Sequence, residues 1–500
     1  MADIAKTSLS RVFTIEGRAG PNNAPTYQSC MKSSGVKQDF GAITKIEVPD
    51  PNNYGKFKTV GTSKGAKGEA TATLTNRYFR NVKSDLLRLA RIGCALDAQI
   101  HFGGCGKPSD FNTYDKIVVA EDLQITNWGT GDLGALTQGE DVVVDETGDI
   151  SAQECYEILP LAYATAADDL VTNEVIDVVI ADEISCSADC GTKSDGKQKI
   201  YAVTAKAGGS SGTPPDLVYS LNGGATWYAH DIDSLSSAQD PSGLAEVGNY
   251  MVVTSYDATN LSYVLKASIL GGVDHTWTAV STGFVAAKGP KAIWSTGARA
   301  FIVGAGGYIY YTDDPTGGVT VMDSGSAAAG DNLVAVHGLD STFVVAVGDA
   351  GAIVYTADGV LWTAVPRFVP VWYGFNGVWV KSKTEWWVVT NNGHMYSTIN
   401  GGTTWAEKTF SGSGSGICGK IKFSTPTVAY MTHTTAANVG RVFKSVDGGY
   451  TWKVQPDPNN GTMPTLYKAK PLAVTPVECN FVVIGGLYTA SDGRIVIGSR

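Results

Sequence analysis

The chain repeats itself. YSLNGGATW ends at Trp227, KASILGGVDHTW at Trp277, YTADGVLW at Trp362, YSTINGGTTW at Trp405 and KSVDGGYTW at Trp452. YTDDPTGGVTV near Val321 and YTASDGRIVI near Ile497 keep the turn without the tryptophan. Successive anchors lie 50, 44, 41, 43, 47 and 45 residues apart. A period of this size belongs to chains whose units bury their apolar faces only against neighbouring units. Each unit has one grammar. An apolar run such as FVVAVGDAG (Phe343–Gly351) or EWWVVTNNG (Glu385–Gly393) is followed by IVYTADG or HMYSTING, a tight turn and a last short strand. Short apolar runs punctuated by Gly, Asn and Asp read as buried strands. With 59 glycines and 17% charged residues, the composition fits many short strands joined by turns.

The three complete copies resemble the Asp-box, or BNR, repeat S-x-D-G-G-x-T-W over roughly residues 171–500. Seven units at this spacing imply a seven-bladed β-propeller of four-stranded blades. The turn residues Asn222, Asp358, Asn400 and Asp447 can bond their own backbone two residues on. The glycines after them accept positive φ, and Trp227, Trp362, Trp405 and Trp452 would bury large rings between neighbouring blades. In the Asp-box family these are fold elements on turns away from the ligand-binding face, so the resemblance assigns them structure rather than chemistry.

Residues 1–165 carry no repeat and only one of the eleven tryptophans, Trp128. Strands are expected at Arg11–Glu16, Glu69–Leu74, Gln99–Phe102, Lys116–Trp128 and Gln153–Leu159. NVKSDLLRLARIG places Val82, Leu86, Leu89 and Ala90 on one helical stripe, with Gly93 as a stop. Residues 47–70, rich in Gly, Lys and Asn, read as a long loop serving function or assembly. Residues 1–91 hold 15 Lys and Arg against 7 Asp and Glu, whereas residues 92–170 hold 2 against 15. Either the halves neutralise each other within one domain, or the basic part of one copy meets the acidic part of another. The second case pairs Lys56, Lys58, Lys64 and Lys67 with Glu140, Asp141, Asp145, Glu146 and Asp149.

The stretch from LLRLARIG through FNTYDKIVVAEDLQITNWGTGDLGAL to VDETGDISAQECYEILPL is similar to the tail tube proteins of long-tailed bacteriophages. That resemblance implies a β-sandwich or barrel-like domain with one helix. It also implies that copies polymerise into stacked hexameric rings around passing DNA, contact other tail proteins and carry C-terminal domains outside. The expected division is a ring-forming domain at 1–165, a linker at 166–173 and the propeller at 174–500. The expected role is a virion tail protein made in the host cytoplasm, with no cofactor. The alternative is a non-enzymatic binding module on capsid or baseplate, recognising a host-surface glycan or another virion protein.

Other classes fit poorly. The net charge of −10 disfavours a nucleic-acid-binding surface. MADIAKTSLSRVF shows no signal-peptide pattern and no apolar stretch has the length of a membrane span. Sialidases also use Asp boxes, but residues 171–500 hold only Arg299, Arg367, Arg441, Arg494 and Arg500 for a three-arginine cluster, and the Arg-Ile-Pro motif is absent. The histidines at 101, 230, 275, 337, 394 and 433 sit near expected turns without metal-ligand spacing. Cys186 and Cys190 stand either as free thiols or as a late disulfide. The aromatic run VPVWYGFNGVWV (Val369–Val380) with Glu385–Trp387 reads either as packing between blades or as an exposed aromatic platform.

Overall fold

The computed structural model describes only strand backbones within residues 1–160. It describes most of residues 161–500, the longest breaks being 182–198, 206–216, 233–238, 269–276, 456–465 and 475–481. The chain forms two compact units, Met1–Pro160 and Leu161–Arg500.

In the first unit seven strands pair in the order Leu96–Phe102, Arg11–Gly17, Tyr27–Gln38, Ala70–Tyr78, Val144–Ala152, Lys116–Thr130 and Glu154–Ile158. Leu96–Phe102 also pairs with Lys116–Thr130, so the ladder returns to its start through antiparallel neighbours. The five strands expected from the sequence all lie in this set. The expected loop at 47–70 does not hold. Ile43–Pro49 and Phe57–Lys64 pair as a separate two-stranded sheet, with Val48 opposite Lys58 and Ile43 opposite Lys64. Thr59–Val60 and the alternating IEV of 46–48 supply strand propensity that the flanking Gly, Asn and Lys obscure. The expected helix at 81–93 lies outside the described residues.

Among its described residues the second unit contains seven four-stranded antiparallel sheets. Six are contiguous in sequence and are numbered blades 1–6 here. Their inner strands are Val175–Ala181, Gln239–Val247, Pro290–Ser295, Leu333–Gly338, Phe375–Val380 and Ile417–Phe423. The seventh sheet is composite. Its inner strand Lys468–Val474 is followed outward by Val482–Leu487 and Gly493–Ser499, and its outermost strand is Ala162–Ala166. The inner strands adjoin one another in chain order, and Lys468–Val474 adjoins Val175–Ala181, so the set closes on itself. The unit is a β-propeller.

This closure corrects two expectations. Ala162–Ala166 belongs to the propeller, so the boundary falls between Pro160 and Leu161 rather than at the expected linker. In blades 1–6 the repeated turn joins the third strand to the fourth. YTASDGRIVI instead joins the second strand of the closing sheet to its third, because the fourth is supplied from the start of the propeller.

Burial explains the repeated grammar. The second strands Ala300–Gly304, Val344–Gly348 and Trp386–Thr390 are buried along their whole length, since neighbouring blades cover both faces. A strand covered on both faces reads as an unbroken apolar run. The fourth strands are short and largely exposed, as at Tyr228–His230 and Ala406–Lys408.

The repeated turn is held by a hydroxyl at the end of the third strand. Ser220 Oγ donates to Asn222 Oδ1 at 3.0 Å and accepts from Gly224 N at 2.8 Å. Thr398 does the same with Asn400 and Gly402, both at 3.0 Å. Thr356 Oγ1 donates to Asp358 Oδ1 at 3.0 Å and accepts from Gly359 N at 2.9 Å. In blade 6, Ser445 Oγ accepts from Gly449 N at 2.9 Å, while Asp447 lies outside the described residues. Asn222 and Asn400 accept from the backbone of Thr226 and Thr404, and Asp358 from that of Val360 and Leu361.

The indole N–H groups of Trp227, Trp405 and Trp452 donate to the carbonyls of Gly224, Gly402 and Gly449. Their rings join clusters that span two sheets. Trp227 packs with Ile497 of the closing sheet, Trp405 with residues of blades 4 and 5, and Trp452 with Trp387 of blade 5. Trp362 lies in the cluster joining blades 3 and 4. The second glycine of the turn has a double constraint. Gly449 has φ +90°, and a Cβ there would sit 2.7 Å from the Trp387 ring.

Candidate functional site

Every inner strand carries a register shift against its second strand near its start, as at Val175/Asp177, Leu333/Ala335 and Phe375/Gly377. A bulge bends a strand and re-aims its side chains. The inner strands line a central channel of about 650 Å³, and all seven sheets contribute to it.

One wall is aromatic. Trp294, His337, Trp379 and Phe423 come from the inner strands of blades 3, 4, 5 and 6. Ring centroids are 5.5 Å apart for Trp294 and His337, 3.8 Å for His337 and Trp379, and 6.1 Å for Trp379 and Phe423. The belt therefore runs unbroken across four blades. Gly338 makes room for it, since a Cβ there would lie 2.8 Å from Cζ3 of Trp294.

Three polar side chains of the inner strands tie blades together. Val380 N donates to Nδ1 of His337 at 3.0 Å, linking blade 5 to blade 4. Leu244 N donates to Oδ2 of Asp177 at 3.0 Å, linking blade 2 to blade 1, while Val178 N donates to Oδ1 at 3.0 Å. Asn376 Nδ2 donates to the Cys418 carbonyl at 2.8 Å, linking blade 5 to blade 6.

Burial pushes the Asp177 carboxyl above its ordinary value, against the opposing pull of Lys422 and Lys420 and its two backbone hydrogen bonds. Burial, helped by the positive charge of Lys422, lowers His337 to about 3. His337 is therefore neutral near pH 7, with Nδ1 an acceptor and the proton on Nε2. Lys422 of blade 6 acts on both Asp177 of blade 1 and His337 of blade 4, so these groups converge across the opening.

The sequence expectations map onto this geometry unevenly. His337 lies near the end of an inner strand and lines the channel, and His433 is fully buried with Nε2 2.9 Å from the Ser415 carbonyl. His394 Nδ1 lies 2.6 Å from Glu407 Oε1. Arg299 is bidentate to Asp313, and Arg367 pairs with Asp331. Each is thus committed to its own carboxylate. In the aromatic run, Phe375, Trp386 and Trp387 are buried packing residues, whereas Trp379 reaches the channel.

In the first unit, Lys58 and Lys64 fall on the hairpin strand Phe57–Lys64. Asp145, Glu146 and Asp149 fall on Val144–Ala152, with Asp145 in register with Arg77. Lys56, Lys67, Glu140, Asp141, Cys186 and Cys190 lie outside the described residues. Asp177, Lys420 and Lys422 had no signal in the sequence, since each sits in a strand whose bulge is not written in any motif.

No protein-family model and no curated protein matches the chain. Among solved structures it is similar to YCF48 bound to D1 peptide, at 17% identity over 68% of this chain and 94% of that one, with a TM-score of 0.48. It is also similar to YCF48 from Cyanidioschyzon merolae, at 13% identity over 67% and 98%, with a TM-score of 0.49. A third similarity is to the GH74 xyloglucanase from Xanthomonas campestris, at 14% identity over 66% and 53%, with a TM-score of 0.43. At these values the likenesses say nothing of function.

Proposed function

We propose that this chain is a bacteriophage virion structural protein, a tail tube subunit. Its first unit polymerises into stacked hexameric rings around the DNA conduit and carries a seven-bladed Asp-box propeller on the outside. The observation that supports this reading is the basic hairpin Ile43–Pro49/Phe57–Lys64, which forms its own two-stranded sheet in the most basic part of the chain. Such a hairpin can reach a neighbouring copy. The acidic strand Val144–Ala152 is paired on both sides, with Ala70–Tyr78 and with Lys116–Thr130. Docking there would be through side-chain charge rather than through a free strand edge.

Negative-stain imaging of the purified chain tests the assembly. Rings or tubes are expected from the wild type. Monomers are expected after Lys56, Lys58, Lys64 and Lys67 are all changed to Glu, with Lys substitutions at Glu140, Asp141 and Asp145 restoring assembly. Tubes at normal yield from the four-Glu variant would remove the hairpin as connector.

A second reading, favoured by the aromatic and charged channel, makes the propeller a non-enzymatic binding module that recognises a host-surface glycan or another virion protein. Commitment of Arg299 and Arg367 to separate aspartates supports binding over sialidase-type catalysis.

A further inference from the structure

We propose that the propeller's central channel binds a small organic anion, a carboxylate- or phosphate-bearing molecule about the size of a sugar acid, held between Lys422, His337, Lys291 and Lys420. This deepens, and rests on, the reading of the propeller as a binding module; it does not depend on ring assembly. Three observations carry it.

The first is charge. The channel lining includes Lys291, Lys420 and Lys422 against Asp177 and Glu246. Three ammonium groups against two carboxylates leave the described lining positive, inside a chain whose net charge is −10. A net positive lining beside apolar walls favours an anion over a cation or a neutral molecule.

The second is a donor without a protein acceptor. The Nδ1 atom of His337 is already used by Val380, which leaves the proton on Nε2. Among the described residues nothing accepts from that N–H, although the imidazole packs between Trp294 and Trp379. His337 is half-buried and lines the channel, so this N–H is open to a ligand there. An oxygen of an anionic ligand, or a hydroxyl beside the anionic group, would accept from it.

The third is shape. The channel holds about 650 Å³ and one wall is a belt of aromatic rings. That volume lies in the range of sites for small molecules, whose linings are mainly apolar with a few placed polar groups. The aromatic wall lowers the local polarity and so strengthens the attraction between ligand and lysines.

Isothermal titration of the full chain tests the proposal with three probes: digalacturonic acid, glucose 6-phosphate and neutral digalactose. Binding of at least one anionic probe, and none of the neutral one, is expected. Whichever anion binds identifies carboxylate or phosphate as the source. Lys422→Gln should weaken binding on the order of tenfold, the loss of one charge-assisted contact, with a cooperative thermal melt showing that the variant folds. Lys420→Gln reads the same contact if Lys422→Gln does not fold.

Equal binding of digalactose, no binding of either anion, or undiminished binding by the folded lysine variant each overturns the proposal. A glycan or protein that binds wild type and Lys422→Gln alike would leave the propeller a binding module and remove the channel as its site.

Discussion

Val380 on the inner strand of blade 5 donates its backbone N–H to Nδ1 of His337 on blade 4 at 3.0 Å. One side chain thus fixes the distance between two blades, the tautomer of an imidazole and the direction in which its proton points. Asp177 plays the matching role between blades 1 and 2 through Leu244. The groups that hold the ring together at its axis are therefore the same groups that give the channel its chemistry.

The His337 contact gives the propeller a pH dependence with a definite sign. Its pKa falls from the ordinary 6.5 to about 3 in the fold. The stabilisation is therefore complete above pH 6.5 and is lost as pH falls from there through about 3. His433, also lowered by burial, adds a dependence of the same sign. The raised Asp177 adds the opposite sign, stabilising at low pH and losing that contribution as pH rises through its elevated value. His337→Gln keeps an acceptor for Val380 N and removes one titration, leaving the other two in place. The expected result is a melting temperature that falls less steeply between pH 6.5 and 4 than in the wild type. Parallel curves would mean that His337 is solvated and titrates normally.

The hydroxyl at the head of each turn should matter as much as the residue that names the motif. Thr398→Val keeps shape but removes the acceptor for Gly402 N, a buried donor, and the donor to Asn400. Leaving a buried donor unmet costs about 1–3 kcal/mol. Denaturant unfolding of the variant should show a loss of that size, and an unchanged midpoint would show that water replaces the hydroxyl.

Trp452→Ala should cost about 3–5 kcal/mol, the usual loss on emptying a buried aromatic site. Trp452 is only 6% exposed and packs against blade 5. Trp405 is half-buried, stacked on Phe368 at 4.6 Å, so Trp405→Ala should cost less. The proposed ring assembly of the first unit should survive both changes. The ordering is read from paired melts, and a larger loss at Trp405 would contradict the burial seen here.

These residues show what a sequence displays and what it hides. The turn is legible because Asn222, Gly224 and Trp227 act within a few positions of one another, so their spacing is the mechanism. The second strands are legible because burial on both faces leaves an unbroken apolar run, as at Phe343–Val347. The hydroxyl of Ser220 is also local, yet Ser and Thr are too common in turns for its role to stand out. The channel is not legible. Asp177, His337 and Lys422 are 160 and 85 residues apart in sequence, and they meet only because a closed ring brings blades 1, 4 and 6 to one axis. The strand Ala162–Ala166 was hidden for a related reason. AYATA is small and weakly apolar, as suits an outermost strand, and its partner lies at the far end of the chain.

That outermost strand supplies the last prediction. Ala162–Ala166 pairs residue by residue with Ile495–Ser499, and Val171, just after it, is buried against the closing sheet. A fragment starting near Thr172 loses both. Gly493–Ser499, with the run RIVIG, then becomes an uncovered apolar edge, a template for pairing between molecules. A fragment of residues 161–500 should therefore melt cooperatively as a soluble species, whereas residues 172–500 should melt lower and associate on heating. Scanning calorimetry with light scattering on the two fragments separates the cases. Identical behaviour would mean that the ring holds with three strands in its last sheet, and that the natural boundary could lie anywhere between Pro160 and Thr172.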